Sequence, residues 1–159
     1  MSPDAALLDT NILVYALYED AEYHKPCRSL LDRAQDAEAA LCVTPQILAE
    51  FFSTVTNPRR VTEVKSPEET ISAITAILAM PGMTLLPLPL DIVSRWIALV
   101  QQHPITGSRI FDVQIVATML GNDVKRVYTY NTSDFRDFDH EIEVLMPAPI
   151  SPDSENTSL

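Results

Sequence analysis

The sequence predicts an α/β fold in which a mostly parallel sheet of four to five strands is covered by helices on both faces. Two observations carry that expectation. Short apolar runs alternate along the chain with longer segments whose apolar residues recur at helical spacing, the pattern of strand–helix–strand units. With 159 residues at 47% hydrophobic, the chain can fill one core but not two ordinary domains.

The first strand is the apolar run at 5–8, ending at Asp9, and Asn11 is placed to cap the helix that ILVYALY begins. Cys27, Leu30, Leu31 and Ala34 fall at helical spacing and predict a helix over 23–39. LCVT at 41–44 reads as the second strand. Pro45 suits the first turn of a helix over 45–56, which TNPRR terminates. Ser66 with Glu69 three residues on has the spacing of a capping box, and ISAITAILA supplies the buried face of the helix that follows. That helix stops at Pro81 and Gly82. TLLPL is the third strand, and 90–102 is a helix holding the only tryptophan, Trp96, read as core or partner interface. A helix over 110–120 ends at Gly121, expected to be a left-handed cap. RVYTY is the fourth strand and IEVLM a short fifth, with Tyr128 and Tyr130 packing on the sheet.

Composition bounds the function. No apolar run approaches the roughly 18 to 20 residues that span a bilayer, and MSPDAALLD lacks the basic start of a secretory signal, so a cytoplasmic protein is expected. Cys27 and Cys42 read as small core residues, and His24, His103 and His140, isolated and polar-flanked, as surface residues. A net charge of −11 argues against tight nonspecific binding of nucleic acid through a basic surface. Residues 1–147 form the expected domain, and 148–159, rich in Pro and Ser with Asp153 and Glu155, an expected disordered acidic tail.

Three carboxylates stand out against this background. Asp9 and Asp112 border apolar segments, and Glu50 lies inside the helical pattern PQILAEFFSTV. Burying an ionised carboxylate costs several kcal/mol, so three at the edges of apolar segments call for a cation or a water-filled cleft. Parallel sheets gather ligands at the carboxyl ends of their strands. Asp9 lies just past the first strand, RVYTY delivers Asn131, Thr132 and Asp134 to the same edge, and Asp112 begins a helix. These segments can converge on one divalent-metal site. All-oxygen donors suit Mg²⁺ or Mn²⁺ better than zinc.

LLDTNILVYA, ILAEF, IFDVQIVATM and YTYNTSDF, in that order and spacing, resemble the PIN-domain ribonucleases, most closely the VapC-type toxins of bacterial toxin–antitoxin pairs. The resemblance covers about residues 5–146. It implies a PIN-like three-layer α/β/α fold and an endoribonuclease that hydrolyses RNA phosphodiester bonds with magnesium or manganese. Asp9, Glu50 and Asp112 match the three family carboxylates, and Thr10 and Asn11 the small polar residues beside the first, placed to bind a phosphate oxygen or to fix Asp9. The fourth place departs from the pattern: either Asn131 is a ligand without charge, or Asp134 supports the site instead, and one metal or two is left open. Arg109 either contacts substrate phosphate or pairs with an acidic neighbour, while Arg59 and Arg60 either solvate the end of their helix or touch the RNA backbone. The resemblance further implies an antitoxin that covers the cleft with a basic side chain and a homodimer, for which helix 67–79 and the start of the next offer apolar surface.

Three rivals compete. A phosphoacceptor domain wants an acidic pair after its first strand, which DTN does not supply. A haloacid-dehalogenase-type phosphatase wants Asp where this chain has Asn11. A catalytically weak or inactive PIN-fold interaction module is favoured by the acidic balance and by Asn131, and disfavoured by the presence of all three principal carboxylates.

Overall fold

The computed structural model describes residues 1–151. Strands β1 (Ala6–Leu8), β2 (Leu41–Val43), β3 (Met83–Leu85), β4 (Arg126–Tyr128) and β5 (Glu143–Leu145) form one sheet in the order β3-β2-β1-β4-β5. Every neighbouring pair is parallel. Parallel neighbours need crossovers: helices α1 (Thr10–Leu17), α2 (His24–Asp32), α3 (Pro45–Val55), α4 (Pro67–Leu78), α5 (Ile92–Gln102) and α6 (Ile110–Gly121) supply those from β1 through to β4, and the 3₁₀ turn Thr132–Phe138 lies in the connection from β4 to β5. α1 packs on α2 and α3, and α3 on α4, while α5 packs on α6, which gives the three layers. β1 and β2 are buried along their whole length, as strands covered on both faces must be.

The chain winds outward from β1 to β3, then crosses back to add β4 on the other side of β1. Strand order therefore reverses beside β1. The crevice beyond the carboxyl ends of β1 and β4 is where open sheets of this kind accept ligands.

Local chemistry fixes the helix starts. Thr44 Oγ1 accepts the Ile47 N–H at 3.1 Å, and Pro45 opens α3. At α4 the capping box forms in both directions: Ser66 Oγ accepts the Glu69 N–H, and the Glu69 carboxylate accepts the Ser66 N–H at 2.7 Å.

Several expectations need correction. Asn11 is not the cap of α1: Asp9 holds that position, and its carboxylate accepts the Thr10 N–H. The helix expected over 23–39 ends as α2 at Asp32 and continues as two separate 3₁₀ turns, Arg33–Gln35 and Ala37–Ala39. The Ala34 carbonyl is taken by the Gly82 N–H at 2.7 Å, which diverts it from a continuous helical ladder. A Cβ on Gly82 would lie 2.1 Å from the Asp36 carbonyl oxygen, so only glycine permits that approach. Gly121 is not a left-handed cap but the last residue of α6, and the left-handed residue is Asp123 at φ 58°. Glycine is needed at 121 because a Cβ there would lie 2.4 Å from Pro89 Cγ. His103 is not a free surface residue, since its Nε2 lies 2.7 Å from the Glu141 carboxylate. Tyr130 stacks on Tyr23 rather than on the sheet alone, with ring centroids 4.0 Å apart. Cys27 and Cys42 are buried free thiols, as core residues should be. Most of the tail expected from residue 148 lies outside the described residues.

Candidate active site

Asp9 leaves β1 and starts α1, so its side chain stands where the strand edge meets a helix N-terminus. It is only 7% exposed. A carboxylate that buried needs donors, and it has three: Oδ1 accepts the Thr10 N–H at 2.8 Å, while Oδ2 accepts Thr129 Oγ1–H at 2.8 Å and Asn11 Nδ2–H at 3.0 Å. Asn11 is itself held, its Oδ1 accepting the Tyr130 N–H at 3.0 Å. Burial still pushes the Asp9 carboxyl above its ordinary range, against the lowering effect of the Thr129 and Thr10 bonds, and Glu50 and Asp134 add repulsion.

Glu50 reaches the same place from the middle of α3. Its Oε2 accepts Thr10 Oγ1–H at 3.1 Å and its Oε1 accepts Gln46 Nε2–H at 2.9 Å. Asp112 arrives from the first turn of α6. Its pKa is pushed up to about 6, first by burial and then by Asp134, Asp9 and Glu50, with Arg109 opposing. Asp134 sits in a 3₁₀ turn, Thr132–Phe138, whose start is tied by its N–H to the Asn131 carbonyl at 3.0 Å.

One cleft of about 520 Å³ is lined by Asp9, Glu50, Asp112, Asn131, Asp134 and Arg60, with Thr10 and Asn11 also on its wall. Thus the structure brings together every residue expected at the site except Arg109. The Arg109 guanidinium pairs with Asp137 at 2.6 Å and reaches the Asp134 carbonyl at 3.5 Å, bracing the turn that carries Asp134. A larger neighbouring cavity, about 660 Å³, shares Val14, Tyr15, Arg60 and Val61 with the cleft but holds none of these carboxylates.

Among the described residues, no three His, Cys, Asp or Glu side chains already form a set that could hold a metal ion. The carboxylates share a cleft without closing on a point. Their chemistry nevertheless fits a hard divalent cation: the donors are all oxygens, and the carboxyls of Asp9 and Asp112 are raised by burial and by the neighbouring carboxylates. Arg60, exposed on the cleft wall, has no ion-pair partner among the described residues.

Three residues of this site were not foreseen. Thr129 is fully buried, and its hydroxyl donates to Asp9 while accepting from Asn11 Nδ2–H and the Asn131 N–H, each at 3.0 Å. The available signal was a polar residue one step beyond a buried strand, opposite Asp9 once Leu8 pairs with Tyr128. Gln46 and Gln114 bridge α3 and α6, and no sequence signal separates them from surface glutamines.

Comparison with known proteins agrees with this architecture. A family model described as the PIN domain matches residues 6–141. Two mycobacterial relatives, VapC ribonuclease Mb2897 of Mycobacterium bovis and ribonuclease VapC43 of Mycobacterium tuberculosis, are each 39% identical over 75 residues, 47% of this chain and 51% of theirs. The chain therefore spans about half the length of the curated relatives it matches. Among solved structures, the sarcin-ricin loop cleaving toxin VapC20 of Mycobacterium tuberculosis superposes at a TM-score of 0.60 with 14% identity, covering 83% of this chain and 94% of that one. VapBC-1 of nontypeable Haemophilus influenzae gives 0.60 with 15% identity over 89% and 97%. A toxin–antitoxin complex from Klebsiella pneumoniae gives 0.57 with 20% identity over 92% and 100%. At these identities the structures speak for the fold, and the family model, which covers most of the chain, decides its membership: this chain belongs to the PIN-domain family.

Proposed function

We propose that this chain is a divalent-metal-dependent endoribonuclease acting as the toxin of a toxin–antitoxin pair. The observation that carries the reading is the convergence of Asp9, Glu50, Asp112 and Asp134 on one cleft at the sheet's switch point. The ribonuclease names of its mycobacterial relatives support the activity, and the complexes among its structural neighbours support an antitoxin partner.

Asp9, Glu50 and Asp112 would hold Mg²⁺ or Mn²⁺, with Asn131 or Asp134 as a further oxygen donor. When bound, the cation neutralises charge on the phosphoryl and leaving oxygens and makes the attacking water more acidic. The protein's own part is placement. Thr10, Asn11 and Thr129 hold the Asp9 carboxylate in one orientation, and Thr10 with Gln46 does the same for Glu50. Arg60 is the free guanidinium of the cleft and is suited to a phosphate of the RNA backbone. Arg109, committed to Asp137, acts by bracing Asp134. Exposed Ile71 on α4, and Leu88, Leu90, Val93 and Ile97 before and on α5, are apolar surface residues available to a homodimer contact. No helix among the described residues is long and apolar enough to cross a membrane, and the proposed setting is the cytoplasm, with the RNA.

A net charge of −11 favours a second reading, a PIN-fold interaction module with little or no catalysis. Incubating the protein with a mixed RNA pool separates the two. The nuclease reading predicts cleavage with Mn²⁺ that EDTA abolishes and that Asp9→Asn loses. Cleavage unaffected by excess EDTA would remove the metal, and no cleavage of any RNA with Mn²⁺ would favour the interaction module.

A further inference from the structure

We propose that Gln46 and Gln114 are positioning residues that set the placement of Glu50 relative to Asp112 for a bound cation, an inference that rests on the metal-dependent reading above. Gln46 stands one turn before Glu50 on α3, and its side-chain amide makes three contacts. Nε2 donates to Glu50 Oε1 at 2.9 Å and to the Phe111 carbonyl at 3.0 Å, and Oε1 accepts Gln114 Nε2–H at 2.9 Å. Phe111 and Gln114 flank Asp112, one residue before it and two after. A single amide on α3 thereby grips the turn of α6 that carries Asp112 and one oxygen of Glu50.

The sense of the Gln46 amide matters. Turned over, it would set its oxygen against the Glu50 carboxylate and the Phe111 carbonyl, two acceptors facing a third. The Gln114 donor holds Gln46 Oε1 on its own side and so fixes Nε2 toward Glu50. Gln114 therefore acts through Gln46. An amide also has a property that Lys or Arg lacks: it donates a hydrogen bond without cancelling the carboxylate's charge. Glu50 is gripped by Gln46 on one oxygen and by Thr10 on the other, both of them neutral donors. Partners that orient metal ligands in this way commonly contribute about 10- to 100-fold to metal affinity.

The test uses the full chain with Gln46→Met, Gln114→Met and the double variant, measuring Mn²⁺ binding by calorimetry and thermal melting in EDTA. Each single variant should bind Mn²⁺ about tenfold more weakly while its metal-free melt stays near that of the parent. In the double variant, Gln114→Met should add almost nothing to Gln46→Met, because the second residue works through the first. Saturating Mn²⁺ should restore most of the lost RNA cleavage. Unchanged Mn²⁺ affinity in both single variants would overturn the inference, as would fully additive losses or a metal-free melt that falls as far as affinity does. A parent protein that binds no Mn²⁺ would instead sink the metal-dependent reading itself.

Discussion

At the scale of single residues, the site is a balance between carboxylates that repel one another and neutral donors that hold them still. Asp9, Glu50 and Asp112 could be found in the sequence because a charge at the edge of an apolar segment demands an explanation. Thr129, Gln46 and Gln114 could not, because a neutral polar residue raises no such demand until strand register and helix packing put it beside a carboxylate. Asp112 gives the clearest prediction. Its carboxyl is raised from 3.8 to about 6, so without metal the fold binds more protons than the unfolded chain between those values. Its charge therefore destabilises the metal-free protein increasingly as pH rises through that window, and the penalty persists at neutral pH. Asp112→Asn, melted in EDTA, should be more stable than the parent near neutral pH by up to about 1 kcal/mol, after allowance for solvent screening of a partly exposed group, and should show no gain at about pH 3. It should also lose RNA cleavage. A variant that melts well below the parent near neutral pH would mark Asp112 as a structural helix-start residue instead.

At the scale of elements, what the sequence reveals depends on whether the cause is local. The capping box at Ser66 and the proline opening α3 are set by neighbours a few residues away, and both elements begin where the pattern puts them. Gly121 misleads because its cause is distant: the space its missing Cβ leaves is filled by Pro89, more than thirty residues earlier. The same holds for the early end of α2, which a hydrogen bond from Gly82 helps to impose. Local and distant causes give different consequences on mutation. Ser66→Ala removes the acceptor for one exposed N–H and should cost about 1 kcal/mol in a denaturant melt, with RNA cleavage per folded molecule unchanged, because α4 supplies nothing to the cleft. A fall in specific activity would mean that α4 communicates with the site in a way the contacts do not suggest.

At the scale of the whole molecule, strand–helix alternation made the parallel sheet legible, but not the order of its strands. That order is what makes the site, since reversal beside β1 opens the crevice lined by Asp9 at the end of β1, Asn131 and Asp134 from the segment after β4, and Glu50 and Asp112 from α3 and α6. The net charge of −11 bears on what this crevice can admit. A strongly acidic cleft repels a polyanion until its charge is neutralised, and on the proposed reading a divalent cation held by the same carboxylates would do so where RNA would enter. The most direct test of this central claim is an anomalous-difference map at the manganese absorption edge, from crystals of the full chain grown with Mn²⁺. A peak bounded by the carboxylates of Asp9, Glu50 and Asp112 is expected; a map with no peak there, or with its only peaks elsewhere on the acidic surface, would rule out a metal site in this cleft.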